Sequence, residues 1–340
     1  MQNSDHENLE KPVSATREIT GSQPLLKPGG SAGRYFGWPW GFAAAAAGLL
    51  LCFGRSLCQL MRFAAESELY SYILLMPFVS GYLVWLKRRS LPAYSGPARG
   101  LAAAFAIAGS AVPAIYWWVG RTSAKLAIDD RLAFSTFSFL LFFLGICCFF
   151  LGKQTLRRLA FPLGLLVFIV PLPAGLMKGI ETFLQHGSAL VAQGMFSLSG
   201  TTFVKDGLLF QLPGIVIEVK PECSGIHSSL VLFITSLVAG HFFLRSPQKQ
   251  AALALSVIPL ALLRNGFRIF TIGQLCIHIG PEMINSPIHR RGGPLFFFLS
   301  LIPFLWLLYV LQKAERVKSR KAAGIEPPAQ AAGNPIGSGN

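Results

Sequence analysis

The chain has 340 residues, of which 52% are hydrophobic, 28 are phenylalanine and only 13% are charged. This composition is typical of an integral membrane protein. Its 30 basic and 15 acidic residues give a formal net charge of +15, but the positive charge lies in loops between apolar runs. A nucleic-acid-binding protein carries such charge along one polar face, so the pattern excludes that class.

The six cysteines provide neither a disulfide framework nor a metal site, because none of them has CxxC spacing. We therefore expect no metal and no organic cofactor. Five cysteines lie in or beside apolar segments and are interpreted as small membrane-buried residues: Cys52, Cys58, Cys147, Cys148 and Cys276. The sixth, Cys223, lies at the border between a polar segment and an apolar one.

Residues 1–34 are polar and rich in Ser, Pro and Gly, and are predicted to form a disordered cytoplasmic tail. Acidic residues such as Asp5 and Glu10 precede the first apolar run, whereas a signal peptide needs a short basic start. The first span is therefore expected to remain as an anchor of a membrane domain over residues 35–311. Residues 312–340 turn basic and then rich in Ala, Pro and Gly, and are predicted to be a second disordered cytoplasmic tail.

Eight apolar runs approach the length of about 20 residues that a helix needs to cross the hydrocarbon core. They are Trp38–Leu57, Leu69–Trp85, Leu101–Val119, Leu132–Leu151, Leu159–Leu176, Ile226–Leu244, Ala251–Phe267 and Pro294–Leu311. Three prolines, Pro162, Pro171 and Pro173, interrupt the fifth run, and two arginines, Arg264 and Arg268, close the seventh.

Loop charge orients these spans. The connections after the second, fourth and sixth runs and the segment after the eighth are basic, with residues such as Lys87, Arg157, Arg245 and Lys313. Under the positive-inside rule these segments are cytoplasmic, which places both tails in the cytoplasm and the odd-numbered loops outside. The basic residues between Arg121 and Arg131, in the third loop, oppose this orientation, although two aspartates partly offset them.

The longest break in the apolar pattern runs from Lys178 to Glu222. Its first half, Ile180–Leu198, has helical spacing with polar residues interspersed, which predicts a helix at the membrane interface. Its second half has β-forming residues on both sides of Asp206-Gly207 and of Pro213-Gly214, which predicts a β-hairpin. The predicted fold is an all-α polytopic membrane protein with about eight transmembrane helices, and with a short extracytoplasmic interfacial helix and a β-hairpin before the sixth.

The segment PECSGIHSS, residues 221–229, begins the sixth span. A helix is expected to start there, because Ser224 can cap it and Gly225 permits a tight turn. Cys223 then lies beside a helix N-terminus, whose free N–H groups and dipole stabilise a thiolate. Glu222 opposes this effect, so a cation is also needed nearby.

The predicted topology brings three unusual polar positions to the outer face. Cys223 begins the sixth span, Arg264 and Arg268 end the seventh, and His289 precedes the eighth. Ionisable residues at the edge of the hydrocarbon are costly and are candidates for function. A cysteine, a histidine that takes its proton and an arginine that binds an oxyanion form a thiol acyl-transfer site.

Five sequence pieces carry a family resemblance: PLP at 171–173, the segment Asp206–Val219 with LPG and VIEV, the ECSGIHSS block, N-x-x-R-I at 265–269 and H-x-x-x-G at 289–293. In this order, over roughly Phe161 to Leu311, they resemble the exosortase/archaeosortase family of membrane-embedded cysteine transpeptidases. The resemblance implies that the nucleophile is Cys223, the arginine Arg268 and the histidine His289. Arg264, His227, Asn265 and Ser224 are possible supporting residues.

Several alternatives stay open for these residues. His227 follows Cys223 by four residues, so on a continuous helix it would lie one turn away and compete with His289 as the base. Arg264 and Arg268 are alternatively interfacial anchors whose long stems reach the headgroups. Cys223 without its block would be an inert buried thiol.

The resemblance implies an enzyme of the bacterial cytoplasmic (inner) membrane that is active at its outer face. Such an enzyme cleaves the C-terminal sorting signal of exported proteins, a Pro-Glu-Pro-like motif followed by a span and a basic cluster (PEP-CTERM), and transfers the new C-terminus to an acceptor. Its expected partners are these membrane-anchored substrates and the bilayer, and nucleic acid is not expected. The alternatives are a transporter or exopolysaccharide-assembly protein without peptidase activity, and a thiol redox protein, for which only Cys276 lies near the same face.

Overall fold

The computed structural model describes residues 40–92, 96–122, 128–285 and 293–322. Nine α-helices lie in these ranges: α1 Trp40–Glu66, α2 Tyr72–Lys87, α3 Arg99–Thr122, α4 Ile128–Arg158, α5 Ala160–Leu165, α6 Ala174–Leu198, α7 Ile226–Phe243, α8 Pro247–His278 and α9 Gly293–Ala322. Short 3-10 helices occupy Arg88–Ser90, Leu166–Ile169, Pro221–Ser224 and Pro281–Asn285. The chain is therefore mainly helical, as predicted.

Six of the described helices, α1, α3, α4, α7, α8 and α9, are long and apolar enough to cross a membrane. Helices α5 and α6 form a seventh candidate span only if they count as one bent unit, and α2 has only 16 residues. The structure thus supports a multi-pass membrane protein, but it does not confirm the count of eight spans.

The fifth predicted span is broken, for the reason that its prolines indicated. After α5 the chain passes through the 3-10 helix Leu166–Ile169, and α6 begins after Pro173 at an angle of 92° to the preceding helical segment. Proline lacks the N–H group that a continuing helix requires. The predicted interfacial helix Ile180–Leu198 is therefore the second part of a longer helix, Ala174–Leu198.

Two predicted helix ends were wrong. The seventh span was expected to end at Phe267, with Arg264 and Arg268 closing it, but α8 is continuous to His278 and both arginines lie within it. The last helix, expected to end at Leu311, continues to Ala322, so the first residues of the expected C-terminal tail are helical. The expected tail over residues 1–34 lies outside the described residues.

The predicted hairpin is present as part of a three-stranded antiparallel sheet of β1 Val204–Asp206, β2 Leu209–Leu212 and β3 Ile215–Glu218. Asp206 pairs with Leu209 across the first turn, and Leu212 pairs with Ile215 across Pro213-Gly214. Gly214 has a φ of +82°, the value required at the third position of a type II turn after proline. The second turn is the predicted Pro213-Gly214 dipeptide, whereas the loop residues of the first are Gly207 and Leu208, one position after the predicted pair.

Two clusters of buried residues position the Cys223 segment. The sheet packs on α6 and α8 through Phe196, Phe210, Ile217 and Ile269. The start of α7 packs, through Ile226, into a second cluster that contains residues of α1, α2, α4, α6 and α8. The chain between β3 and α7 is therefore held at both ends by buried apolar side chains.

Candidate active site

Cys223 lies in a single 3-10 turn, Pro221–Ser224, that directly precedes α7. Gly225 separates the two helices in the left-handed conformation, with φ 69° and ψ 21°. The N–H of Ile226 donates to Ser224 Oγ at 3.4 Å, and Ser224 itself is buried. The backbone of Cys223 is thus next to a helix N-terminus, as the sequence predicted.

The carbonyl oxygen of Gly225 is the anchor point of this segment. It accepts hydrogen bonds from Ser229 Oγ at 2.8 Å, Ser228 Oγ at 3.1 Å and the Ser229 N–H at 3.0 Å. It also accepts one from Arg264 Nη2 at 3.0 Å. The chain two residues after Cys223 is therefore fixed to both α7 and α8.

Arg264 is buried, with only 8% of its surface exposed, so it is not an interfacial anchor that reaches the headgroups. Its Nη2 group donates to Ser229 Oγ at 3.1 Å as well as to Gly225. Its Nη1 group has no hydrogen-bond partner within the described part of the chain. A guanidinium and a helix N-terminus both favour a nearby anion, so Arg264 is a candidate for the cation that a thiolate at this position needs.

Asn265 and Arg268 continue the same side of α8 toward the sheet. Asn265 is buried, and a Cβ atom placed on Gly225 would lie 3.5 Å from its Oδ1. Arg268 and Asn265 line a small recess of about 20 Å³ against β3, together with Ile217, Glu218 and Val219. The recess joins the α8 arginine motif to the strand that leads into the Cys223 segment.

His227 lies in the first turn of α7. Its Nδ1–H donates to the carbonyl of Leu69 at 3.2 Å, and this hydrogen bond leaves Nε2 as the ring nitrogen that can accept a proton. Its separation of four residues from Cys223 is not that of a continuous helix, because Gly225 breaks the helical conformation between them. Helical spacing therefore does not bring His227 to Cys223, and His289 lies outside the described residues.

Two residues that hold the chain on either side of Cys223, Gln185 and Ser229, were not predicted from the sequence. Gln185 of α6 is buried, and its Nε2 donates to the carbonyl of Val219 at 3.0 Å, which fixes the chain two residues before Pro221. Ser229 bridges Gly225 and Arg264. Gln185 is one of several polar residues in α6, so the sequence contained no specific signal for it, whereas Ser229 is the last serine of the ECSGIHSS block.

No three His, Cys, Asp or Glu side chains of the described residues come together as metal ligands. Of the cysteines, Cys147, Cys148 and Cys276 are buried, whereas Cys52 and Cys58 are exposed. The arrangement offers a cysteine-bearing turn, directed guanidinium donors and a helix N-terminus, which are elements of nucleophilic acyl transfer.

A family model described as transmembrane exosortase matches residues 59–306, well over half of the chain. This chain belongs to the transmembrane exosortase family. The matched region of this exosortase starts within α1, ends within α9 and contains the Cys223 segment together with Arg264, Asn265 and Arg268. No curated protein and no solved structure matches the chain significantly.

Proposed function

We propose that this exosortase is a cysteine transpeptidase that cleaves the C-terminal sorting signal of exported proteins and transfers the new C-terminus to an acceptor. The observation that carries this proposal is the position of Cys223, in a turn at the N-terminus of an apolar helix, two residues before Gly225, whose carbonyl accepts a hydrogen bond from the buried guanidinium of Arg264. The exosortase family is generally one of cysteine transpeptidases, and it gives the reaction class.

The reaction has two acyl transfers. The Cys223 thiolate attacks the carbonyl carbon of the scissile peptide bond, and the tetrahedral intermediate collapses to a thioester as the amine leaves with a proton from the general acid. After it has given up its proton, the general acid is a base. A nucleophilic group of the acceptor then attacks the thioester, gives its proton to this base and releases the Cys223 thiolate. Electrons and protons balance without a metal or an organic cofactor.

The two arginines have different roles in this scheme. Arg264 already donates to Gly225 and Ser229, which supports a role in holding the cysteine turn and in favouring the thiolate. Arg268 lines the recess beside β3, and we assign it the role of stabilising the oxyanion of the tetrahedral intermediate. Asn265, the residue directly after Arg264, borders both Gly225 and the recess.

We assign the general base to His289, on the family resemblance, with His227 as the competing candidate. The hydrogen bond from His227 Nδ1–H to Leu69 supports a structural role for this ring at the junction of α2 and α7. The same bond leaves Nε2 able to accept a proton, so only kinetics of variants separate the two histidines.

The proposed substrates are exported proteins that end in a Pro-Glu-Pro-like motif, an apolar span and a basic cluster. Their span holds the scissile bond near the outer interface of the bacterial inner membrane, and the basic end stays cytoplasmic. Both tails of the enzyme are cytoplasmic in this arrangement, and the cysteine turn faces outward. Confinement to the bilayer raises the local concentration of substrate at Cys223.

Processing of a tagged protein with such a tripartite end tests the proposal. Membranes with the wild-type enzyme are expected to convert it to a shorter product and an acceptor-linked product. Membranes with Cys223→Ala, at matched expression, are expected to leave it intact, and Cys223→Ser to process it at a greatly reduced rate. Normal processing by Cys223→Ala would remove the transpeptidase assignment and favour a transport or assembly role.

A further inference from the structure

An open groove of about 420 Å³ lies between α2 and α7, outside the recess beside Arg268. Its apolar walls include Leu75, Met76 and Val79 of α2 and Val231, Ile234 and Val238 of α7. Among the residues that the structure describes, no acidic residue, lysine or arginine lines it. The groove therefore fits an apolar ligand rather than a charged segment.

The groove follows the axis of α7. Its lining positions on this helix are His227, Val231, Ile234, Thr235 and Val238, which recur at the spacing of three and four residues that forms one stripe of a helix. At about 1.5 Å per residue, the stripe from His227 to Val238 is about 16 Å long, or half of a hydrocarbon core. Together with the lining residues of α2, this stripe forms a groove into which a third helix can pack.

One end of the groove lies in the first turn of α7, which directly follows the cysteine turn along the chain. His227 is in the first turn of α7, four residues after Cys223, and the lining extends from there along the helix away from the cysteine turn. A helix lying in this groove would end at the level of Cys223. The residues just before that helix would then be the ones nearest to the nucleophile.

The lining distinguishes a helix from a lipid acyl chain. Ser71 and Thr235 add hydroxyl groups to the apolar walls, and both are exposed. Small and hydroxyl-bearing residues at lipid-facing positions are typical of helix–helix contacts in membranes, because they allow close approach and hydrogen bonding. Both hydroxyls already donate to carbonyls of their own segments, Ser71 to Glu68 at 3.1 Å and Thr235 to Val231 at 2.8 Å, so they offer a substrate helix close approach and acceptor lone pairs. An acyl chain has no donor to use these lone pairs.

We propose that the α2–α7 groove binds the membrane-spanning helix of the substrate and so sets which peptide bond reaches Cys223. This inference rests on the proposed function, because it takes the substrate to be a protein with a span directly after its cleavage motif. It adds the surface on the enzyme that selects this span and the register in which it is held.

Photocross-linking tests the groove directly. A benzophenone amino acid at Val231, in the Cys223→Ala background that keeps the substrate intact, is expected to cross-link to a tagged protein with the tripartite end. The control position is Leu305 on α9, an apolar residue outside the groove whose side chain is 56% exposed. We expect at least a tenfold higher yield from Val231 than from Leu305. Equal yields, or cross-links from Val231 to phospholipid alone, would overturn the proposal.

A second experiment fills the groove. Val231→Trp is expected to slow substrate processing by about tenfold or more, whereas Leu305→Trp is expected to process at the wild-type rate. Alkylation of Cys223 by iodoacetamide in each variant shows that the cysteine turn is intact. If the wild-type enzyme processes nothing, the proposed function fails. If it does process the substrate and Val231→Trp is equally fast, only the groove assignment fails.

Discussion

Replacement of Gly225 by alanine perturbs the cysteine turn sharply without replacing any proposed catalytic residue. Gly225 has a φ of +69°, a conformation that costs an L-residue about 1–2 kcal/mol. Its added Cβ would also lie 2.9 Å from Arg264 Nη2, which is closer than carbon and nitrogen atoms approach. The guanidinium, which is buried, must therefore move.

The cost follows from what Arg264 would lose. Its Nη2 group holds hydrogen bonds to Gly225 and Ser229, and a hydrogen bond from a charged group contributes about 1.5–3 kcal/mol. Loss of one of these bonds, added to the backbone strain, gives a destabilisation of about 2.5–5 kcal/mol. The cysteine turn would also be displaced. The rate of substrate processing is therefore expected to fall by more than the loss of folded protein accounts for.

A matched control separates the strain from the clash. Gly200 has nearly the same φ, +70°, but nothing lies within 4 Å of an added Cβ. Gly200→Ala is therefore expected to cost only about 1–2 kcal/mol and to leave processing nearly unchanged. Denaturant titration in detergent micelles and the rate of Cys223 alkylation measure the two effects. If Gly225→Ala were no more harmful than Gly200→Ala, the contact between Arg264 and the cysteine turn would be refuted.

Three further predictions concern the arginine, the histidines and the topology. Arg268→Lys is expected to lose a few kcal/mol of transition-state stabilisation, seen as a drop in kcat/KM of at least tenfold, because lysine lacks the planar donors; full activity would make Arg268 an anchor. His289→Ala is expected to slow acylation by about 100-fold to 10,000-fold while His227→Arg stays active, and the reverse result would move the base to His227. A reporter fused at Lys205 should read external and one after Leu151 cytoplasmic; an internal reading at Lys205 would contradict the outward-facing site.

The sequence predicted the local structure around Cys223 well, because the signals there are local. The helix start is at the predicted place, although its N-cap is Gly225 and not Ser224, whose Oγ accepts from the N–H of Ile226. Pro213-Gly214 specifies a turn whatever the rest of the chain does. The break in the fifth span was likewise visible in its prolines, including Pro173, the residue directly before α6. These features needed no knowledge of tertiary contacts.

Tertiary contacts decided what the sequence misjudged. Two arginines four residues apart were expected to end a span, but α8 continues because Ile269 and later residues pack on α6 and the sheet instead of meeting water. The same spacing gave no reason to choose which arginine turns inward. The hydrogen bonds to Gly225, directly before α7, and to Ser229, within it, accompany the burial of Arg264 and could not be read from the sequence.

A covalent intermediate at Cys223 is the most direct test of the central claim. Purified enzyme mixed with a tagged tripartite substrate, in the absence of an acceptor, is expected to form an adduct that hydroxylamine releases, as it does a thioester. Mass spectrometry is expected to place the adduct on the peptide that contains Cys223, and Cys52→Ala, which changes an exposed cysteine outside the site, is expected to form it normally. An adduct that persists in Cys223→Ala, or processing by the wild-type enzyme without any hydroxylamine-sensitive adduct, would contradict the assignment of Cys223 as the nucleophile.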